Sequence, residues 1–446
     1  MLQSAERAPL FTDEMGEGFT LTLATEEAAR CLLCFDAPCS RACPAGTDPG
    51  SFIRKLRFRN VTGAIRTIKK NNPFGWTCGV VCPTARLCEL ACSRTAIDRP
   101  IQIGKIQRFL VEHGWTMGFS PIKKGEINKD KIAVIGSGPA GLSCARELAL
   151  NGYNVTVFEK KEKAGGNLRY GIPSFRLAEE GLQREIDEIV SLGVTIKTES
   201  PIEGKDGLSQ LKEEGFKAVF LSPGLWSPIR LGIEGSDLNG ILSATDFLGA
   251  MRTSKVTEME NLVRDKVVAV IGGGSVAMDA AMGAKKLGAK DVYVLYRRSY
   301  TEMPAEEKEK IQALNEGIHF FILTQPVKYA GNGSLESITC RRTRLGDPDD
   351  TGRRRPQEIE GSEFEMPFDV AIEALATEPE AGLRELADLS WDDKTITVSD
   401  ANLQTSLPWI YAGGDIVRGP ALVVEAVADG KRAAEAIAQH LEGKGE

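Results

Sequence analysis

The sequence predicts an α/β protein in which a helical, cysteine-rich amino-terminal domain precedes two nested Rossmann-like dinucleotide-binding domains. Three observations predict it. Eight of the ten cysteines lie between Cys31 and Cys92, in two dense runs. Two strand–glycine–helix–strand patterns follow, opening at Lys131 and Val267. Far beyond both, a short apolar strand at 409–412 ends in Gly413-Gly414-Asp415.

The first cysteine run is Cys31-x2-Cys34-x4-Cys39-x3-Cys43-Pro44, and the second is Cys78-x3-Cys82-Pro83-x4-Cys88-x3-Cys92. Disulfides, zinc and iron–sulfur clusters are the three uses for thiols this dense. Disulfides suit oxidising compartments and small secreted domains. This 446-residue chain shows no charged-then-apolar leader at Met1 and no apolar run long enough for a bilayer, so it reads as cytoplasmic, where thiols stay reduced. Zinc sites pair C-x2-C knuckles, often with histidine, yet His113, His319 and His440 all lie outside the runs. The Cys43-Pro44 and Cys82-Pro83 endings resemble the ferredoxin run C-x2-C-x2-C-x3-C-P, with a middle gap of four here instead of two. Iron–sulfur is therefore placed first, zinc second and disulfides last.

The length predicts two or three domains. A formal net charge of −7 and a pI near 5.4 argue against nucleic acid as a partner, since phosphate binding needs a basic surface. No membrane span is expected. Arg353-Arg354-Arg355, inside a Gly/Asp/Pro-rich stretch at 346–361, reads as a solvated loop.

Lys131-Ile132-Ala133-Val134-Ile135 has the β-branched composition of a buried parallel strand. Gly136-Ser137-Gly138-Pro139-Ala140-Gly141 follows, then a helical stretch, then a strand at 154–158 that delivers Glu159, 18 positions after Gly141. One glycine makes the turn, one admits the pyrophosphate, one packs helix on strand, and the acid accepts from a ribose hydroxyl. The pattern recurs at 267–271 with Gly272-Gly273-Gly274-Ser275-Val276-Ala277, where alanine stands for the third glycine. Its second strand ends in Tyr296-Arg297-Arg298 rather than an acid. Arginines there either receive a 2′-phosphate, which points to NADP, or form a solvated pair. The late Gly414-Asp415, followed by a helix at 421–441, completes the first Rossmann unit after the second has interrupted it. The expected domains are 1–125 (helical, clusters), 126–261 with 373–446 (FAD), and 262–372 (NAD(P)). Nesting of this kind sets nicotinamide against flavin, so hydride goes in and single electrons come out.

Taken together, these motifs make the chain resemble the NADH-oxidising, PreT-type subunits of bacterial dihydropyrimidine dehydrogenase, within the glutamate synthase small-subunit superfamily. The resemblance covers about 28–436. It rests on Cys31-Leu-Leu-Cys34 through Cys43-Pro44, on Val81-Cys82-Pro83-Thr84 to Leu87-Cys88, on Gly166-x-Leu168-Arg169-x-Gly171-Ile172-Pro173-x-Phe175-Arg176-Leu177, and on Ala412-Gly413-Gly414-Asp415. It implies two 4Fe–4S clusters, one on Cys31, Cys34, Cys39 and Cys92, the other on Cys43, Cys82, Cys88 and Gln107. Without the resemblance, Gln107 would read as a helix-surface residue. Cys78, Cys144 and Cys340 are left as packed thiols. FAD would be held by Gly136, Gly138, Pro139, Ala140, Gly141, Glu159, Gly166, Leu168, Gly414 and Asp415. NAD(P)H would be held by Gly272, Gly274, Ser275, Val276, Arg297 and Arg298. The family's FMN-binding barrel of about 250 residues has no room in this chain. The resemblance therefore implies an FMN-barrel partner with further clusters, in a hetero-oligomer, that reduces uracil and thymine to the 5,6-dihydropyrimidines.

Two departures stand out: 371–377 lacks the usual Ala-x-Gly, and the loop at 347–360 is longer and more charged than expected. The nearest rival is the small subunit of NADPH-dependent glutamate synthase, with a tighter second cysteine run but an NADPH preference that Arg297-Arg298 would suit. A related electron-bifurcating subunit is a further alternative. A thioredoxin-reductase-like disulfide reductase needs a C-x-x-C near the flavin, and past Cys92 only Cys144 and Cys340 remain. A non-catalytic iron–sulfur scaffold would leave two complete fingerprints without a purpose.

Overall fold

The computed structural model describes residues 18–349 and 352–443, the side chain of Lys205 excepted. They form two compact units. One joins the chain up to Arg169 to Ser174–Leu225 and to everything from Pro379 onward; the other joins Tyr170–Pro173 to Trp226–Glu378.

The first unit opens with capped helices. Thr20 caps Leu21–Ala29, its hydroxyl accepting from the Leu23 N–H at 3.2 Å. Asp48 caps Pro49–Arg57 and Asn60 caps Val61–Asn71 through their side-chain oxygens. Phe52, Ile53 and Leu56 on the second helix, and Ala64, Ile65 and Ile68 on the third, form the apolar stripes that drive packing. Helices Gly75–Val81 and Ile103–Thr116 cross closely because of glycine. A Cβ at Gly79 would sit 2.7 Å from the Arg108 amide nitrogen.

A five-stranded parallel sheet follows in the order Ile410–Ala412, Phe216–Leu221, Lys131–Ile135, Asn154–Phe158, Thr195–Lys197. Val219, Leu221, Ala133, Ile410 and Ala412 bury one face of it. The strand Ile410–Ala412 reaches its place from beyond the whole second unit, as the interrupted Rossmann pattern predicts. Residues 1–125 do not separate as a body of their own: the helices and this sheet belong to one unit.

The second unit is a parallel sheet in the order Ile241–Ser243, Val370–Glu373, Val267–Ile271, Asp291–Tyr296, His319–Ile322, with an antiparallel ribbon beside it in the chain. The expected boundaries of the NAD(P) domain lie at 262 and 372, inside this compact unit. The unit begins at Trp226 and ends at Glu378. Its edge strand Ile241–Ser243 pairs with Val370–Glu373, and Gly283 of the fingerprint helix packs on Phe247 and Met251 from the helix Ala244–Met251. The sheet therefore needs the chain segment before its own glycine loop. The basic stretch is also not a loop. Arg354–Glu358 pairs antiparallel with Ser337–Pro348, Leu345 opposite Pro356. Among the described residues no helix is long and apolar enough to cross a membrane.

Candidate functional site

The first glycine loop is shaped by contacts that admit no side chain. Gly136 has φ +96°, and a Cβ there would lie 2.3 Å from the Ser222 carbonyl oxygen. A Cβ at Gly141 would lie 2.0 Å from the Gly136 carbonyl oxygen, which is the helix-on-strand approach. Gly138 has open space around it and forms the N-cap of helix Pro139–Leu150, with no side chain capping the first amides. Bare amides at a helix N-terminus beside an open glycine are what a pyrophosphate requires. Glu159 is buried at the end of the second strand, accepting from the Lys161 N–H at 2.8 Å and, on its other oxygen, from the Ser137 N–H at 3.1 Å and the Ser137 hydroxyl. The glycine loop and the acid are thereby locked together. Gly166 (φ +54°) comes within 2.8 Å of Gly138 at its would-be Cβ, and Leu168 is buried just after it.

The late motif closes on the same place. Gly414 (φ +76°) faces the Ala140 side chain, and its N–H donates to Asp429 at 3.0 Å. Gly430 fits against the Ala140 carbonyl, where a Cβ would meet the oxygen at 2.1 Å. Asp429 is fully buried and paired with Arg418 at 2.6 Å. Burial pushes the Asp415 carboxyl up to about 6, reinforced by Asp429 and Glu425 and opposed by the Ala421 amide. Gly136–Gly141, Glu159, Gly166 and Gly414-Asp415 thus share one end of one sheet, the carboxyl end where open α/β sheets bind ligands. Asp429 was not foreseen; its only sequence signal is an acid inside an apolar helix pattern.

The second unit repeats the arrangement. Gly272 has φ +146°, with the Ala374 carbonyl 2.3 Å from its would-be Cβ, and Gly274 caps helix Ser275–Lys286, where a Cβ would meet only Pro304 Cγ, at 3.8 Å. Ser275 opens that helix, and Val276 is exposed. The Tyr296 ring covers Gly273, a contact that the sequence did not reveal. The expectation for the two arginines divides. Arg297 is exposed. Arg298 is buried, its Nη2 donating to Asp349 at 2.8 Å and its Nε to the Arg354 carbonyl at 2.8 Å, so its fork is committed to the ribbon and not offered to a phosphate. The glycine missing from 371–377 is answered by Glu373. Its fully buried carboxylate pairs with Arg230 at 2.8 Å and accepts from the Tyr329 hydroxyl at 2.8 Å, fixing the strand end against Gly272.

All ten cysteines are free. Burial raises the Cys31 thiol, and Cys92 and Cys34 add to the rise. Burial pushes Cys39 up to about 11, with Cys92 and Cys31 again the neighbours. Cys34 Sγ lies 3.4 Å from Ser93 Oγ, beside Cys92. Burial likewise raises Cys88, reinforced by Cys82, Glu89, Cys43 and, from the first set, Cys39, and burial raises Cys78, with Cys82 and Cys43 among its neighbours. Two neighbourhoods emerge: Cys31, Cys34, Cys39 and Cys92, then Cys43, Cys82 and Cys88 with Cys78. Among the described residues no three His, Cys, Asp or Glu groups converge on a point as one metal ion demands. Grouped sulfur donors suit iron. Gln107 is buried, and its amide NH2 donates to the Gly75 carbonyl at 2.6 Å, leaving the amide oxygen for another partner. It lies one turn from Gly104, on the face that meets Gly79. The surface-residue reading of Gln107 is excluded.

The cysteine helices are bound to the flavin-fold elements by buried charge. Glu185, on helix Glu179–Ser191, accepts from the Trp76 N–H at 2.6 Å and from the Thr77 N–H and hydroxyl at 3.1 and 2.6 Å. Lys431 donates to the carbonyls of Ala45 and Asn71 at 2.6 and 2.7 Å, and burial lowers its pKa from the ordinary lysine value. The fully buried Trp76 ring lies on Gly181, where no Cβ would fit.

Comparison with known proteins accords with this geometry. Residues 9–119 match the family model for dihydropyrimidine dehydrogenase domain II, 4Fe-4S cluster, and residues 130–430 match the pyridine nucleotide-disulphide oxidoreductase model. The NAD-dependent dihydropyrimidine dehydrogenase subunit PreT of Escherichia coli K12 is 41% identical over 434 residues, 97% of this chain and 98% of that protein. The chain belongs to the PreT family. It is an NAD(P)H-dependent oxidoreductase of the FAD and 4Fe–4S class, a helical iron–sulfur domain followed by a two-dinucleotide fold. The PreT family also adjoins the glutamate synthase [NADPH] small chain of the same bacterium, 34% identical over 96% of this chain and 94% of that one. Mycobacterium tuberculosis FprA shares the fold, with TM-score 0.60 and 19% identity over 71% of this chain and 85% of that chain.

Proposed function

We propose that the chain is the NADH-oxidising subunit of a cytoplasmic dihydropyrimidine dehydrogenase, delivering electrons to an FMN-barrel partner that reduces uracil and thymine. The single observation that carries this is the 41% identity to PreT over nearly the whole of both chains. FAD takes two electrons as hydride and releases them singly, which is what iron–sulfur clusters can accept. The protein's own groups do the rest. Gly136, Gly138 and Gly141, with Pro139 and Ala140 opening the helix, leave room and bare amides for the flavin pyrophosphate. Glu159 supplies an acceptor to the ribose, and Gly166, Leu168, Gly414 and Asp415 line the remainder. Gly272, Gly274, Ser275 and Val276 would serve the nicotinamide dinucleotide, with Arg297 at its ribose end. Cys31, Cys34, Cys39 and Cys92 would hold the outer cluster, and Cys43, Cys82, Cys88 and Gln107 the other. Lys431 and Glu185 hold the second set against the flavin fold.

The test mixes the anaerobic holoprotein with its FMN-barrel subunit. Alone, the chain should oxidise NAD(P)H with a dye and leave uracil untouched; together they should yield dihydrouracil. Uracil reduction by the chain alone would refute the division of labour. The exposed Arg297 keeps the glutamate synthase reading in view. Under that reading, an amidotransferase subunit would replace the FMN barrel as the productive partner, and NADPH would be preferred.

A further inference from the structure

The surface over the first cysteine set combines two features that a solvent-facing loop does not need. Leu32, Phe35 and Leu90 are exposed, Phe35 completely, and each stands within a few positions of Cys31, Cys34 or Cys92. Large apolar side chains left exposed around one set of cysteines are the composition of an interaction site. The second feature is charge. From residue 18 to 119 the chain carries fourteen Lys and Arg against seven Asp and Glu, although the whole chain has a net charge of −7. Arg41, Arg54, Arg59, Arg86 and Arg99 of this segment are exposed. Two arginines reach the cysteines themselves: Arg54 donates to the Cys34 carbonyl at 3.4 Å, and Arg57 to the Cys31 carbonyl. Asp36, next to Phe35 in the chain, is paired with Arg41 at 2.8 Å, and Arg99 is paired with the buried Glu27 at 3.5 Å.

We propose that Leu32, Phe35 and Leu90, rimmed by Arg41, Arg54 and Arg99, form the docking surface for an acidic protein that carries a one-electron centre. The proposal rests on the electron-exit reading above and names its door and the charge of the visitor. An apolar centre with a charged rim is the anatomy of a transient interface, and opposite charge on the two facing patches raises the encounter rate. The surface faces the outer cysteine set, so a docked acceptor would come close to the last centre in the chain. Each NADH oxidised releases one proton to solvent and two electrons, which reduce two one-electron acceptors in two encounters.

The experiment uses the holoprotein, NADH and two ferric haem probes, acidic cytochrome b5 and basic cytochrome c. Cytochrome b5 should be reduced at least tenfold faster than cytochrome c at low ionic strength, and that advantage should fade as salt rises. Two double variants, Phe35→Ser with Leu90→Ser and Arg41→Glu with Arg99→Glu, should each lose at least tenfold in cytochrome b5 reduction. Dye reduction, iron content and the cluster spectra of the arginine pair should stay as in the parent. Equal reduction of both haem proteins at every salt concentration would overturn the proposal, as would parental cytochrome b5 rates in the arginine pair. No pyrimidine-reducing subunit takes part. A chain that feeds cytochrome b5 through this patch but gives no dihydrouracil with the FMN-barrel subunit refutes the pyrimidine reading alone.

Discussion

Replacing Glu185 by glutamine should make the protein less sensitive to pH between 5 and 8. The carboxyl is fully buried, and burial pushes it from an ordinary 4.5 up to about 7, against the pull of Lys69 and of the donors on Thr77 and Trp76. A carboxyl that holds its proton more tightly when folded gives stability that is fully present below pH 4.5. That stability is lost as pH rises through about 7. At 1.36 kcal/mol per pKa unit, the full swing is about 3 kcal/mol. Glutamine keeps the shape and an acceptor oxygen but does not titrate. The parent-to-variant difference in stability should therefore move by about 2.5 kcal/mol, most of that swing, in favour of Glu185→Gln from pH 5 to pH 8. The readout is the thermal midpoint of flavin release from the holoprotein at one scan rate, at pH 5, 6, 7 and 8, where a change of several degrees in the gap is expected. A gap that stays constant, or that widens the other way, would show that Glu185 is ionised throughout. Glu185→Ala provides the contrast. It shows the same drift with pH, since alanine does not titrate either, but adds a pH-independent cost of roughly 3–6 kcal/mol for stranding the Trp76 N–H and the Thr77 N–H and hydroxyl.

Three further outcomes follow from the sites. Cys34→Ser and Cys88→Ser should each remove one cluster's worth of iron and leave FAD bound, because the two thiols belong to different neighbourhoods; iron analysis with flavin absorbance checks this. Glu159→Ala should loosen FAD at least tenfold, the equivalent of about 1.4 kcal/mol, which is within the range of a charge-assisted hydrogen bond; unchanged flavin retention would leave the acid only its bonds to Ser137 and Lys161. Arg297→Ser should lower kcat/KM for NADPH relative to NADH, whereas Arg298→Lys should chiefly destabilise the ribbon through the loss of the Asp349 and Arg354 contacts; steady-state kinetics and a thermal melt separate the two.

Much of the flavin end was legible because steric necessity leaves marks in sequence. Gly136, Gly141 and Gly272 are places where no Cβ fits, and the strands around them are buried on both faces, so each reads as an apolar run. What escaped was set by partners distant in sequence. The edge strand Ile241–Ser243 has three residues and no periodicity, so the unit boundary at Trp226 left no signal. Arg298 looked available until the stretch after Gly346 proved to be a strand whose neighbour Asp349 holds it. Glu185 lies more than a hundred positions from the amides that it receives, so its place on the apolar stripe of Leu182, Ile186 and Ile189 marked it as buried but gave no sign of its partners. The grouping of cysteines came from resemblance to a family. Spacing alone could not have told Cys78 from Cys82, and both are buried.

In the proposed route, this chain converts a hydride into single electrons that leave through its cysteine-bound iron. An anaerobic NADH titration of the as-isolated protein examines that route, with flavin absorbance and low-temperature electron paramagnetic resonance recorded on the same samples. Expected are about eight irons per flavin, loss of the flavin absorbance, and reduced-cluster signals that grow in with NADH. Stoichiometric zinc with negligible iron would contradict it. So would a flavin that bleaches while the clusters stay silent at every NADH concentration, even though dithionite reduces them.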